Sequence, residues 1–246
     1  MRGFLVGAGV ALLALAACKQ PEPAAVGPDA VAPGPASDAP APLSAGEAFR
    51  MAFGAAPPAK RKVEGETGGD FSYSPGKVVP VSGALAALVS TATNAQDCHA
   101  CAGALAVHYF RHADGRWAPA GNWPELVPGQ GFGAAPDWSV RADLKPGVWL
   151  AVETGWTGQG YSCGAVDLIE LTPTGPFVRG SGIPVHYDNA GAVMDEREAQ
   201  REDGVISRLP DGKFRVTVSG SKTGTVDYEM VGDNLVRRGP NVITDC

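Results

Sequence analysis

Val148-Trp149-Leu150-Ala151-Val152-Glu153-Thr154 and Ala165-Val166-Asp167-Leu168-Ile169-Glu170-Leu171-Thr172 decide the fold class of this 246-residue chain. Both runs are short and apolar, and the second alternates at its start as a strand with one face in a core would. Pro173-Thr174-Gly175 closes the second run with turn chemistry. Nothing here has the length or the 3.6-residue periodicity of a helix.

The same grammar extends in both directions. Apolar or alternating runs occur at Leu85 to Ser90, Ala104 to Arg111, Ser139 to Leu144, Phe177 to Val178, Gly204 to Arg208, Lys213 to Ser219, Thr225 to Val231 and Asn234 to Arg238. Ala113-Asp114-Gly115, Lys145-Pro146-Gly147, Pro210-Asp211-Gly212 and Gly232-Asp233-Asn234 punctuate them. Short strands at regular spacing with turn signals between them predict an all-β chain of antiparallel meanders.

A faint repeat sharpens this expectation. Val89-Ser90-Thr91, Val152-Glu153-Thr154 and Val218-Ser219-Gly220 each end one run. A polar or Gly-rich stretch follows, then Ala104 to Val107, Ala165 to Leu168 or Val226 to Glu229, then a turn, then Trp117, Phe177 or Leu235. Three meander units at a period of about 60 residues suggest blade-like sheets, but three blades are too few for an ordinary closed propeller. A sandwich or irregular barrel is therefore expected. One short helix precedes it: Ser44-Ala45-Gly46-Glu47 has capping-box spacing, Leu43 stands before it, and Gly54 ends it. Phe49 and Phe53 would dock on the domain.

The N-terminus has a different character. Met1-Arg2 carries a positive charge and Phe4 to Leu15 is apolar, too short a run to span a bilayer, which takes about 20 residues. It ends in Leu15-Ala16-Ala17-Cys18, which resembles the lipobox of bacterial lipoproteins. That resemblance implies cleavage before Cys18, thioether lipidation of its sulfur and acylation of the new amino terminus, with anchoring by several chains. Lys19, in place of Asp, resembles the signal for sorting to the outer membrane, facing the periplasm. Residues 1–17 are then a signal peptide, 18–43 a lipidated tether and 44–246 a single β-rich domain. The tether is nearly all Pro, Ala, Gly, Val and Asp without an aromatic residue, so it cannot bury enough apolar surface to offset ordering. As a polyproline-like chain at ~3.1 Å per residue it would reach roughly 75 Å.

An oxidising compartment governs the remaining cysteines. Cys98, Cys101, Cys163 and Cys246 allow three pairings, of which Cys98–Cys101 with Cys163–Cys246 is the most local and ties down the terminus. A c-type haem would need His after the second Cys, where Ala102 stands. A redox dithiol at Cys98 and Cys101 would want a βαβ frame that is absent, and a metal site of Cys98, His99 and Cys101 with Cys163 or His108 would want reduced thiolates. No cofactor or metal is expected.

Two further features bear on function. Gly160-Tyr161-Ser162-Cys163-Gly164 satisfies G-x-S-x-G, but the following run is strand-like rather than helical, and His186 is the one His downstream. Ser162 with His186 is the hydrolase alternative. All five Trp residues fall between Trp117 and Trp156, among Gly/Pro-rich loops. Trp117, Trp138 and Trp149 lie in or beside strands and read as core. Trp123, Trp156, Gln159 and Tyr161 are candidates for a binding surface toward an envelope protein or glycan. Formal net charge is −6, with basic residues scattered except at Lys60-Arg61-Lys62, so no nucleic-acid partner is expected. Asp195 to Asp203 reads as a solvated charged loop or exposed turn. The expected function is a monomeric, non-catalytic binding or structural module held at a membrane by lipid.

Overall fold

The computed structural model describes residues 40–63, 68–96, 98, 101–129 and 131–245. The signal peptide, Cys18 and nearly all of the tether lie outside the described residues, as do His99 and Cys246. Helix α1 (Ala45–Phe53) is followed by β1 (Ala59–Val63), β2 (Gly69–Ser82), β3 (Leu85–Asn94), β4 (Ala104–Ala113) and β5 (Arg116–Pro128). Then come β6 (Asp137–Val140), β7 (Val148–Gly158), β8 (Tyr161–Thr172), β9 (Gly175–Asp188), β10 (Arg201–Arg208), β11 (Phe214–Gly220), β12 (Gly224–Val231) and β13 (Asn234–Arg238). Every strand pairs antiparallel with its sequence neighbour, save that β5 and β6 belong to different sheets. The fold is all-β with one short helix: a five-stranded sheet β1 to β5, and an eight-stranded sheet β6 to β13 that curls into a half-barrel.

Helix α1 begins and ends where its caps dictate. Ser44 is extended and its hydroxyl accepts the Glu47 N–H at 3.2 Å; Gly54 adopts φ 69° and returns its N–H to the Arg50 carbonyl. Ala48, Phe49 and Phe53 are buried, and Phe53 stacks near Phe49, Tyr73 and His108. Full burial of each phenyl ring is worth roughly 1.5–3 kcal/mol. Order starts slightly before the helix, because Leu43 is buried and the Ala41 carbonyl accepts the Trp117 indole N–H at 2.9 Å.

Strand alternation sorts the core into layers. On one face of the first sheet, Phe71, Tyr73, Leu88, Ala92, Ala104, Ala106 and Phe110 lie under α1. On the other, Val79, Leu85, Ala87, Val89, Leu105, Val107 and Tyr109 meet Leu150, Val152, Ile169 and Leu171 of β7 and β8. Strand β2 serves both layers because a bulge at Gly76 shifts its register between Pro75 and Lys77. Phe71 and Tyr73 point to α1 before the bulge; Val79 and Val81 point to the second sheet after it. The opposite face of β7 and β8 contributes Trp149, Ala151, Val166 and Leu168 to a third cluster inside the half-barrel, with Ile206, Phe214, Val216, Val218, Val226, Tyr228 and Ile243.

Three meander units exist: β3-β4-β5, β7-β8-β9 and β11-β12-β13. They do not form separate blades. Strand β10 pairs with both β9 and β11, and so fuses the second and third units into one sheet. Two expectations need correction. The run Ser139 to Leu144 is strand only as far as Val140; Ala142–Leu144 is a 3-10 turn that inserts Leu144 into the half-barrel core. The charged segment from Asp195 is solvated through its 3-10 turn at Glu196–Glu198, but Arg201–Asp203 opens β10. Glu202 there is 0% exposed, accepting the Thr244 N–H at 2.6 Å and hydroxyl at 2.9 Å, with Lys222 Nζ at 3.4 Å.

Candidate functional site

The half-barrel is closed at one end and open at the other. At the closed end Arg208 donates to the Leu144 and Pro146 carbonyls at 3.2 and 2.7 Å, and lies over the Trp149 and Phe214 rings. Arg141 donates to the Ile206 carbonyl at 2.6 Å, which ties the end of β6 to β10 although the two strands do not pair. Beyond that bridge, toward the β7–β8 hairpin, a cleft of about 550 Å³ opens between β6, β7, β8, β9 and β10.

Its lining is mostly polar: Ser139, Arg141, Glu153, Thr157, Ser162 and His186, with Trp156 at the lip. Trp156 is 49% exposed, a large flat apolar surface left in water. The hairpin that carries it turns through Gln159 and Gly160, both with positive φ, the two-residue turn whose twist suits antiparallel strands. Gln159 and Tyr161 are exposed on this hairpin.

Four polar residues lie on four adjacent strands, β7 to β10. Thr157 and Ser162 are directly paired on β7 and β8, with hydroxyls 3.3 Å apart. His186 on β9 is paired with Gly164 on β8 and with Asp203 on β10. Its Nδ1 lies 2.8 Å from Asp203 Oδ1, while Arg201 Nε donates to Asp203 Oδ2 at 3.1 Å. Hydrogen bonding from His186 first, then Arg201, holds the Asp203 carboxyl below the usual carboxylate range.

The sequence-derived candidates separate. Trp156, Ser162 and His186 meet in this cleft. Trp123 does not join them: it is half-buried between the sheets, its ring 5.1 Å from Tyr109 and packed over Gly121 and Gly175, so it is core rather than surface. Trp149 is buried with its indole N–H on the Pro146 carbonyl, and Trp117 and Trp138 pack against core clusters. The G-x-S-x-G segment sits at the start of strand β8 and is no strand-to-helix elbow. Asp203 was hidden in the charged segment; running the inward positions Ile206, Gly204 and Glu202 back along β10 would have revealed a strand there.

Cys98 and Cys101 form a disulfide with Cα atoms 5.0 Å apart. The two cysteines are tied to the loop at 131–134: Phe132 and Gly133 donate to the Cys98 and Cys101 carbonyls at 3.1 and 2.8 Å. Cys98 and Cys101 border a second cavity of about 400 Å³ with Asn94, Gln96 and Glu125. Cys163 is also disulfide-bonded, and the partner expected for it, Cys246, lies outside the described residues. Among the described residues of the set considered for a metal, Cys98 and Cys101 are bonded to each other, Cys163 is in β8 and His108 is buried against Phe53. No protein-family model matches this chain, and neither a curated protein nor a solved structure shows significant similarity to it.

Proposed function

We propose that this chain is a lipid-anchored module of the bacterial cell envelope that binds a glycan in the mouth of its half-barrel. The carrying observation is the half-exposed Trp156 at the lip of a cleft lined by Glu153, Thr157, Ser162 and His186. A flat aromatic face offers a platform for the apolar face of a sugar ring, and carboxylate, hydroxyl and imidazole groups match its hydroxyls. Lipid on Cys18 and the Pro/Ala-rich tether would keep that mouth near the envelope surface it reads. A disulfide at Cys98–Cys101 fits the oxidising side of a membrane.

The test has two arms. In cells, Cys18→Ala should abolish fatty-acid labelling and move the chain into the soluble fraction; retained lipid refutes the anchor. In solution, soluble cell-wall glycan fragments should change the tryptophan fluorescence of the purified domain, and Trp156→Ala should remove that change. Equal binding by wild type and Trp156→Ala would refute the cleft as the site, as would crosslinking in cells that captures protein alone.

A further inference from the structure

We propose that the same cleft is an acyl-transfer centre, with Ser162 as nucleophile, His186 as general base and Asp203 as the carboxylate that orients the imidazole. Its substrate class is a carboxylic ester on a sugar hydroxyl, a choice that rests on the glycan reading above.

The argument is geometric. Ser162, His186 and Asp203 occupy three neighbouring strands, β8, β9 and β10; Ser162 and His186 line the cleft, and Asp203 is bonded to the imidazole from behind it. Ser162 and Gly164 are two residues apart, so they share a face of β8. Gly164 is the register partner of His186, which leaves Ser162 one diagonal step from the imidazole, within reach of a ring that leans across. The step between them is clear because position 164 has no side chain: a Cβ there would lie 3.0 Å from His186 Cβ. Asp203 accepts from Nδ1 at 2.8 Å, and this fixes the tautomer whose lone pair is on Nε2. In an imidazole ring, Nε2 faces away from the group bound at Nδ1, here away from β10. The His186 side chain is 27% exposed and lines the cleft.

Ser162 Oγ exchanges a hydrogen bond with Thr157 Oγ1 at 3.3 Å. The reaction requires that Ser162, by rotation about χ1, exchange that contact for one to Nε2. The balanced reaction needs water and nothing else. Ser162 Oγ bonds to the ester carbonyl carbon as its proton passes to Nε2. The tetrahedral intermediate then expels the sugar alcohol, which takes that proton from His186. Water, deprotonated by the same nitrogen, attacks the acyl-serine, releasing the carboxylic acid and restoring Ser162. Ester and water thus become alcohol and acid with no redox change. Ser162 and His186 touch the reacting atoms; Asp203 is a positioning residue acting through His186.

The experiment uses the purified, disulfide-intact domain with three probes: a fluorophosphonate, p-nitrophenyl acetate and an O-acetylated chitooligosaccharide. The expected result is covalent labelling mapped to the Ser162 peptide, and acetate release from both esters. Ser162→Ala should lose both while keeping the wild-type unfolding temperature. Asp203→Asn should lower kcat on the order of 100-fold or more with KM unchanged, a split that a merely structural role would not give. Absence of label on Ser162, or hydrolysis by Ser162→Ala at the wild-type rate, overturns the proposal. Labelling with p-nitrophenyl acetate turnover but no acetate from the oligosaccharide would remove the sugar ester as substrate. If Trp156-dependent glycan binding persists in a domain that never labels, the binding reading stands and acyl transfer falls. If Ser162 labels in a domain that binds no glycan, the reverse holds.

Discussion

The two sheets of this molecule are built from the same kind of strand and are used differently. The five-stranded sheet is covered on both faces, by α1 on one side and by β7 and β8 on the other. The eight-stranded sheet curls on itself, and its interior passes from a tightly filled cluster around Leu144, Trp149 and Phe214 to a polar cleft around Ser162 and His186. The contrast shows where stability and ligand access are separated. The five-stranded sheet gives its faces to packing and has its cavity at the strand ends beside Cys98 and Cys101, whereas a curved sheet filled at one end leaves a mouth at the other. Strands β7 and β8 belong to both regimes: the first half of β7 and the second half of β8 are core on two faces, and the hairpin that joins them is the lip.

The most damaging way to test this division is to open the seam that both sheets share. Leu150 is 0% exposed and lies between them. Leu150→Ala should cost about 4 kcal/mol, the transfer loss plus a cavity that two sheets cannot close, read as a lowered midpoint in urea unfolding. A loss below 1 kcal/mol would mean that the sheets are not packed as described.

The next test concerns the covered face. His108 is 5% exposed against the Phe53 ring, and its Nδ1 has no hydrogen-bond partner. Burial, reinforced by the Arg61 charge, lowers its pKa from the ordinary 6.5 to about 4. The folded state therefore holds the ring neutral while the unfolded chain protonates it. The stability this contributes is intact above the unfolded value and is lost as pH falls from 6.5 toward 4, by at most about 3 kcal/mol. His108→Gln should flatten unfolding free energy over that window relative to the wild type. A wild-type profile already flat there contradicts the buried neutral ring. A smaller effect belongs to the cap of the covering helix: Ser44→Ala removes the acceptor for the Glu47 N–H and should cost about 1 kcal/mol in the same assay.

How much of this was legible in the sequence follows the same division. Helix α1 could be read to the residue because its signals are local: a capping Ser44, a Gly54 that tolerates positive φ, and two Phe on one face. Strands β7, β8 and β11 to β13 could be read from alternation and turns. Strand β2 could not, since its two prolines and its bulge at Gly76 break the two-residue period that identifies a strand. Strand β5 was missed for the same reason, with Pro119, Pro124 and Pro128 along an edge where a missing N–H costs nothing. The site was half legible. Ser162, His186 and Trp156 stood out by residue type, but their meeting with Asp203 depends on β10 pairing with β9 across a twelve-residue connection, which no local pattern encodes. Glu202 was misjudged because a carboxylate in a charged run reads as solvated until Thr244 and Lys222 arrive from the C-terminal region to satisfy it.

The last comparison is between two tryptophans on one strand. Trp149 is 3% exposed, with its indole N–H bonded and its ring edge-on to Phe214; Trp156, seven residues on, is 49% exposed. Residues this far apart lie on opposite faces of a regular strand, and the hairpin has by then risen clear of both cores. Burial decides what each ring is worth to the fold. Truncating the half-exposed one removes only part of the surface that the buried one takes from water, so Trp156→Ala should cost about 1 kcal/mol, well below the roughly 3–5 kcal/mol expected of Trp149→Ala. The same variant should still lose the glycan response. A loss of 2 kcal/mol or more would place Trp156 in the packing of the hairpin and withdraw the lip from the binding surface, because a ring that holds the strands together is not free to hold a ligand.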